Sequence, residues 1–218
     1  MKTGRIDHIM AILKKEVAQL KTPVLGVIAE ETKDPYCVLV SCILSLRTRD
    51  EVTDAASRRL FKQARTPYEM ISHRPDQIEK AIYPVAFYRN KTRHILALSK
   101  ELLEKHRGHV PATMAALLAL PGVGRKTANL VITVAFGNLG ICVDTHVHRI
   151  SNRIGYIKTK NADESEKALR TTLPRKYWIT YNDILVPYGQ FVCRPISPFC
   201  SRCKISAHCD KVGVVKSR

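Results

Sequence analysis

The sequence predicts an essentially all-α protein. Apolar residues recur at helical spacing, helix-start signals stand ahead of the apolar runs, and glycines follow several runs where left-handed caps belong. Period-two alternation, the mark of a half-buried strand, is scarce.

Taken in order, Ile6, Ile9, Met10, Leu13, Val17 and Leu20 lie on one face, so residues 5–20 are expected to form an amphipathic helix with Lys14, Lys15 and Lys21 opposite. Asp34-Pro35 supplies an N-cap and a proline at the first helical position ahead of "YCVLVSCILSL". Asp50 is expected to cap "EVTDAASRRLF", and Thr66-Pro67-Tyr68-Glu69 repeats the cap-proline device with a capping-box glutamate. "ATMAALLAL" (112–120) reads as helix. "LVITV" (130–134) has strand propensity, but its continuity with "RKTAN" favours helix. Gly108, Gly137 and Gly155 suit left-handed C-terminal caps.

The 218-residue chain is long enough for one large domain or two small ones. Its 36 Lys and Arg against 19 Asp and Glu give a formal charge of +17, which points to a polyanionic partner. The longest apolar runs are too short to span a bilayer, so the polyanion is not expected to be a membrane. No apolar signal segment opens the chain, and a cytoplasmic, nucleoid-associated location is expected if the source is prokaryotic. In such a compartment the seven cysteines are thiols or metal ligands rather than disulfides, with Cys37, Cys42 and Cys142 read as core.

"LPGVGRKTA" (120–128) places a Pro-Gly-Val-Gly turn between two helices. A mononucleotide-binding P-loop is excluded, because Arg125 stands where that motif needs its second glycine. The alternative is a helix-hairpin-helix, whose backbone N–H groups at Gly122, Val123, Gly124 and Arg125 meet a DNA phosphate without reading sequence, Val123 seating the turn. Lys126 follows in the first turn of the second helix and is either a phosphate contact or a nucleophile. Downstream, "VDTHVHRISNRIG" (143–155) opens with Asp144, an N-cap whose carboxylate can also stabilise positive charge, and carries His146 as a DNA-binding candidate.

Cys193, Cys200, Cys203 and Cys209 are separated by six, two and five residues. Four cysteines so crowded call for a metal, and their spacing alone leaves zinc and an iron-sulfur cluster nearly even. His208 adjoins Cys209 and could replace a thiolate, but it is read as a surface histidine. Arg194, Arg202 and Lys204 lie between the cysteines, so the loop is expected to offer Arg202 and Lys204 to DNA phosphates.

"LPGVGRKTA", then "VDTHV", then Cys-x6-Cys-x2-Cys-x5-Cys together closely resemble the endonuclease III family of DNA glycosylases, over about residues 5 to 209. The resemblance implies a two-domain helix-hairpin-helix glycosylase fold: a six-helix barrel over 28–138, and a domain of 1–27 plus 139–218 whose four cysteines hold a 4Fe-4S cluster. It implies base excision repair by a monomer on double-stranded DNA holding damaged bases or abasic sites. Lys126 would be the nucleophile and Schiff-base lysine and Asp144 the second catalytic residue, with oxidised or ring-saturated pyrimidines as substrates.

Two positions depart from the family pattern. Arg47 stands where the familiar bacterial enzymes have glutamine, and either reads the orphaned opposite base or binds phosphate. Ala86-Phe87 replace glycine-leucine in a DNA-wedging loop, so either Phe87 inserts between bases or it is core and Tyr88 is the exposed ring. A thymine or uracil mismatch glycosylase is the nearest alternative. A non-enzymatic iron-sulfur module that binds DNA or senses redox state is the alternative from another class.

Overall fold

The computed structural model describes residues 2–18 and 24–218; Leu20 and Lys21 of the expected first helix lie outside them. Among the described residues there is no β-strand. The chain divides into two compact units, one spanning Val24–Asn138 and the other joining the first helix to Leu139–Arg218.

The Val24–Asn138 unit is built around α3 (Pro35–Ser45). Every residue of α3 from Tyr36 to Leu44 is buried, which is what a helix apolar all round requires. Around it pack α2 (Val24–Thr32), α4 (Asp50–Phe61), α7 (Tyr88–His106) and α9 (Arg125–Leu130). Asp34 caps α3 as the sequence predicts, its Oδ1 accepting the Tyr36 N–H at 2.8 Å. The Thr66–Glu69 capping box also forms, at the start of α5 (Pro67–Ser72).

Two expectations are corrected. The N-cap of α4 is Arg49, in extended conformation, and Asp50 lies inside the first turn beside Glu51, where a carboxylate meets the positive helix end. The unit begins at Val24 rather than 28, because α2 starts there and packs on α3 and α4; a boundary at 28 would cut that helix. The unit comprises α2 through α9, of which α5, α6 (Pro75–Ile82) and α8 (Met114–Ala119) are short. Residues 130–134 are helical, α9 running on into a π-turn at Val131–Ala135.

In the second unit α1 (Lys2–Val17) buries Ile6, Ile9, Met10 and Leu13. They pack with Val147 and Ile150 of α10 (Thr145–Arg153), Leu169 of α11 (Ala162–Thr172), and Tyr181, Leu185 and Tyr188 of α12 (Thr180–Phe191). Each such side chain contributes about 1.5–3 kcal/mol by leaving water. Polar contacts fix the same helix to the C-terminal loop: the Arg5 guanidinium donates to the carbonyls of Ile154 and His208 at 2.8 Å and pairs with Asp210 at 2.6 Å.

Candidate active site and DNA interface

The hairpin is set by its apolar contacts and by one glycine. Leu120 and Val123 are buried, and the Val123 N–H donates to the Leu120 carbonyl at 3.2 Å. Gly122 sits at φ +76°, and a Cβ there would lie 2.8 Å from the His94 side chain of α7, so only glycine fits. Gly124 differs: it is the N-cap of α9 at φ −95°, and a Cβ there would meet nothing within 4 Å. Gly124 has no side chain with which to cap α9, so the helix begins on backbone alone.

Lys126 is exposed on that first turn. Its charge reaches Cys42 of α3, whose thiol burial pushes up to about 12 while the lysine opposes the rise. Lys126 therefore emerges where α9 packs beside the central helix, just after the hairpin. Cys37 and Cys42 themselves are fully buried, as is nearly all of Cys142.

Arg47 and Phe87, far apart in sequence, meet in this unit. Both are exposed, and the guanidinium lies 5.9 Å from the ring centroid. Both also adopt left-handed backbone, Arg47 at φ +55° and Phe87 at φ +57°, a conformation costly for bulky residues and concentrated at functional sites. Phe87 is 60% exposed whereas Tyr88 is half-buried against Tyr83, itself 61% exposed, so of the two adjacent rings Phe87 is the one offered to solvent.

Asp144 lies in the other unit and caps α10. Its Oδ1 accepts the N–H groups of both His146 and Val147 at 2.8 Å, and among the described residues no hydrogen bond engages Oδ2. One oxygen thus fixes the carboxylate, and the other takes no part in the cap. His146 is half-buried where α10 crosses α12, its Nδ1 accepting from Arg149 at 3.0 Å.

Cys193, Cys200, Cys203 and Cys209 all line one pocket, together with Ile150, Tyr188 and other mainly apolar residues. Among the described residues no three His, Cys, Asp or Glu side chains converge as they would on a single ion. Four thiols around one pocket are a donor set for a metal centre. Arg153 donates to the Cys193 Sγ at 3.4 Å, and the Tyr188 hydroxyl lies 3.1 Å from the Cys203 Sγ, partners suited to thiolates. His208 is absent from the pocket and packs edge-on against His8 at 4.6 Å.

Arg202 is exposed and stacks over Phe199 at 4.0 Å, with Arg194 at 5.2 Å and Arg218 at 4.9 Å around the same ring; Lys204 is exposed nearby in the chain. Sequence reasoning missed this grouping, and nothing in residue spacing signals that Arg218 returns to the loop. It missed Lys91 as well, whose buried Nζ donates to the Leu44 carbonyl at 2.8 Å, the Leu46 carbonyl at 2.6 Å and the Thr48 Oγ1 at 3.1 Å. Periodicity held that signal: Lys91 shares the buried stripe of α7 with Ile95, Leu98 and Leu102.

Residues 40–175 match the family model described as "HhH-GPD superfamily base excision DNA repair protein". Endonuclease III of Thermotoga maritima is 45% identical over 177 residues, covering 81% of this chain and 83% of that protein. The mouse endonuclease III-like protein 1 is 43% identical over 177 residues, though the match spans only 59% of its length. Among solved structures, a trapped endonuclease III–DNA covalent intermediate superposes with a TM-score of 0.84 at 31% identity, over 97% of this chain and 96% of that one. With the hairpin, the capped Asp144 and the four-cysteine pocket all in place, the chain belongs to the endonuclease III family of the HhH-GPD superfamily.

Proposed function

We propose that this protein is a bifunctional DNA glycosylase and abasic-site lyase of base excision repair, removing oxidised or ring-saturated pyrimidines from duplex DNA through Lys126. The observation that carries the reading is Lys126 exposed on the first turn of α9, directly after the hairpin. The similarity to a covalently trapped enzyme–DNA complex supports bond formation over mere phosphate contact.

In this reading the hairpin holds a phosphate near the lesion, and the damaged nucleotide leaves the stack. The Lys126 Nζ bonds to the sugar C1′ as the glycosidic bond breaks, its electron pair and a proton going to the departing base. Ring opening gives a Schiff base, loss of a C2′ proton expels the 3′ phosphate, and water then releases the lysine. The Asp144 carboxylate, fixed through Oδ1, stabilises the positive charge that develops on the sugar.

The thiolates of Cys193, Cys200, Cys203 and Cys209 would hold a 4Fe-4S cluster, which when bound would cross-link the loop. That cross-link would keep Arg202 and Lys204 turned toward DNA phosphates.

The test is borohydride trapping on duplex DNA with one abasic site. Native protein is expected to form a covalent adduct and a nicked strand, and Lys126→Ala to bind the same DNA with neither. An adduct that persists in Lys126→Ala, or native protein that binds but never traps, would refute the assignment.

A further inference from the structure

We propose that Lys91 is a positioning residue whose buried side chain ties the Arg47 turn to the Phe87 turn, so that both side chains meet damaged DNA as one preset unit. The inference rests on the reading of Arg47 and Phe87 as the groups that enter DNA around an extruded nucleotide.

The tie can be followed atom by atom. From α7, the Lys91 Nζ reaches the carbonyls of Leu44 and Leu46, on either side of Ser45 and immediately before Arg47, and the hydroxyl of Thr48 immediately after it. The Thr48 Oγ1 in turn accepts the Ala86 N–H at 3.3 Å, beside Phe87. The Lys91 backbone N–H donates to the Phe87 carbonyl at 3.0 Å. One residue therefore engages both left-handed turns, its side chain gripping the first and its backbone the second.

The placement is costly unless it serves something. Lys91 is only 5% exposed, its three side-chain partners are neutral oxygens, and burial pushes its pKa down to about 8. A cation at the C-terminal carbonyls of α3 recovers part of that cost by meeting the negative helix end. The rest goes into holding two exposed side chains in strained backbone, and small misplacements of positioning groups can lower rates by about 100-fold.

The experiment compares Lys91→Met, Thr48→Val and the Arg47→Ala/Phe87→Ala pair on two substrates: duplex DNA with thymine glycol opposite adenine, and single-stranded DNA with an abasic site. Lys91→Met and Thr48→Val are expected to slow excision from duplex by about tenfold or more. Their cleavage of the single-stranded abasic site should stay within about twofold of native. Adding Lys91→Met to the Arg47→Ala/Phe87→Ala pair should then cost nothing further on duplex, and hydrogen exchange at the Ala86 amide should quicken in both single variants.

Equal losses on both substrates, or a full additional loss in the combined variant, would overturn the positioning role and leave Lys91 a packing residue. If Arg47→Ala/Phe87→Ala spares duplex excision, the wedge reading itself fails and the inference falls with it. If that pair is selectively impaired while Lys91→Met and Thr48→Val are not, only the inference about Lys91 fails. Should Lys91→Met not fold, Thr48→Val carries the same comparison by removing the hydroxyl that links the two turns.

Discussion

The Arg47 guanidinium rests 5.9 Å from the centre of the Phe87 ring, although the two residues stand on different turns of the chain. A cation held over an aromatic face is oriented by that face as well as by its own backbone. Arg47 is thereby kept beside the exposed ring instead of sweeping along the surface. This favours base readout over a roaming phosphate contact.

Arg47→Gln is accordingly expected to change the ratio of excision rates for a lesion opposite guanine and opposite adenine by about 1 kcal/mol, roughly fivefold. Single-turnover rates on the two duplexes give the ratio. A uniform slowing that left it unchanged would assign Arg47 to phosphate.

Asp144 has two tasks that substitution can separate. Asparagine caps a helix about as well as aspartate, so Asp144→Asn should keep stability within about 0.5 kcal/mol of native while losing the charge, whereas Asp144→Ala should cost about 1 kcal/mol through the cap. Excision should fall about 100-fold or more in both. Comparable activity in Asp144→Asn and native protein would reduce Asp144 to a cap.

Local signals were legible in the sequence wherever one residue settles one conformation. Asp34, Thr66 and Asp144 announce their helices because a short polar side chain satisfies N–H groups that otherwise lack partners. Arg49 gives no such signal, since α4 starts without a side-chain cap, and the nearby Asp50 drew the assignment one residue downstream. At the site, the hairpin and the cysteines could be read because their ligating groups are close in sequence. The contacts of Lys91 with Leu44, Leu46 and Thr48 could not, because two distant segments meet there only once α7 has packed against α3.

The two hairpin glycines should behave oppositely. Gly122→Ala forces a side chain onto φ +76° and into His94, and should cost about 1–3 kcal/mol in denaturant unfolding. Gly124→Ala adds a methyl at φ −95° with nothing inside the protein to meet it, so stability should change by less than about 1 kcal/mol. Its methyl would instead face an approaching phosphate, raising the Kd for abasic-site duplex about fivefold or more. Unchanged binding by a folded Gly124→Ala would argue against phosphate contact at the hairpin.

Arg202 and Lys204 should act through charge alone. Reversing both, as Arg202→Glu with Lys204→Glu, should flatten the plot of log affinity against log salt by about 0.9 for each phosphate that is no longer neutralised. Fluorescence anisotropy from low to moderate salt measures the slope. A parallel plot, merely displaced, would show that neither side chain releases counterions.

Lys91 makes stability depend on pH in a direction unusual for a lysine. Burial lowers its folded pKa from 10.5 to about 8, so below about 8 the side chain is protonated in both states and folding bears the full cost of burying an ammonium. Between about 8 and 10.5 the unfolded chain holds a proton that the folded protein has released, and Lys91's contribution to stability therefore rises with pH. Native protein should gain stability relative to Lys91→Met across this window, measured by urea unfolding at matched ionic strength. The neutral amine has fewer N–H donors than the three oxygen partners of the ammonium, so excision from duplex should fall over the same window in native protein. A flat stability difference between the two proteins from pH 7 to about 10 would mean that Lys91 keeps an ordinary lysine pKa.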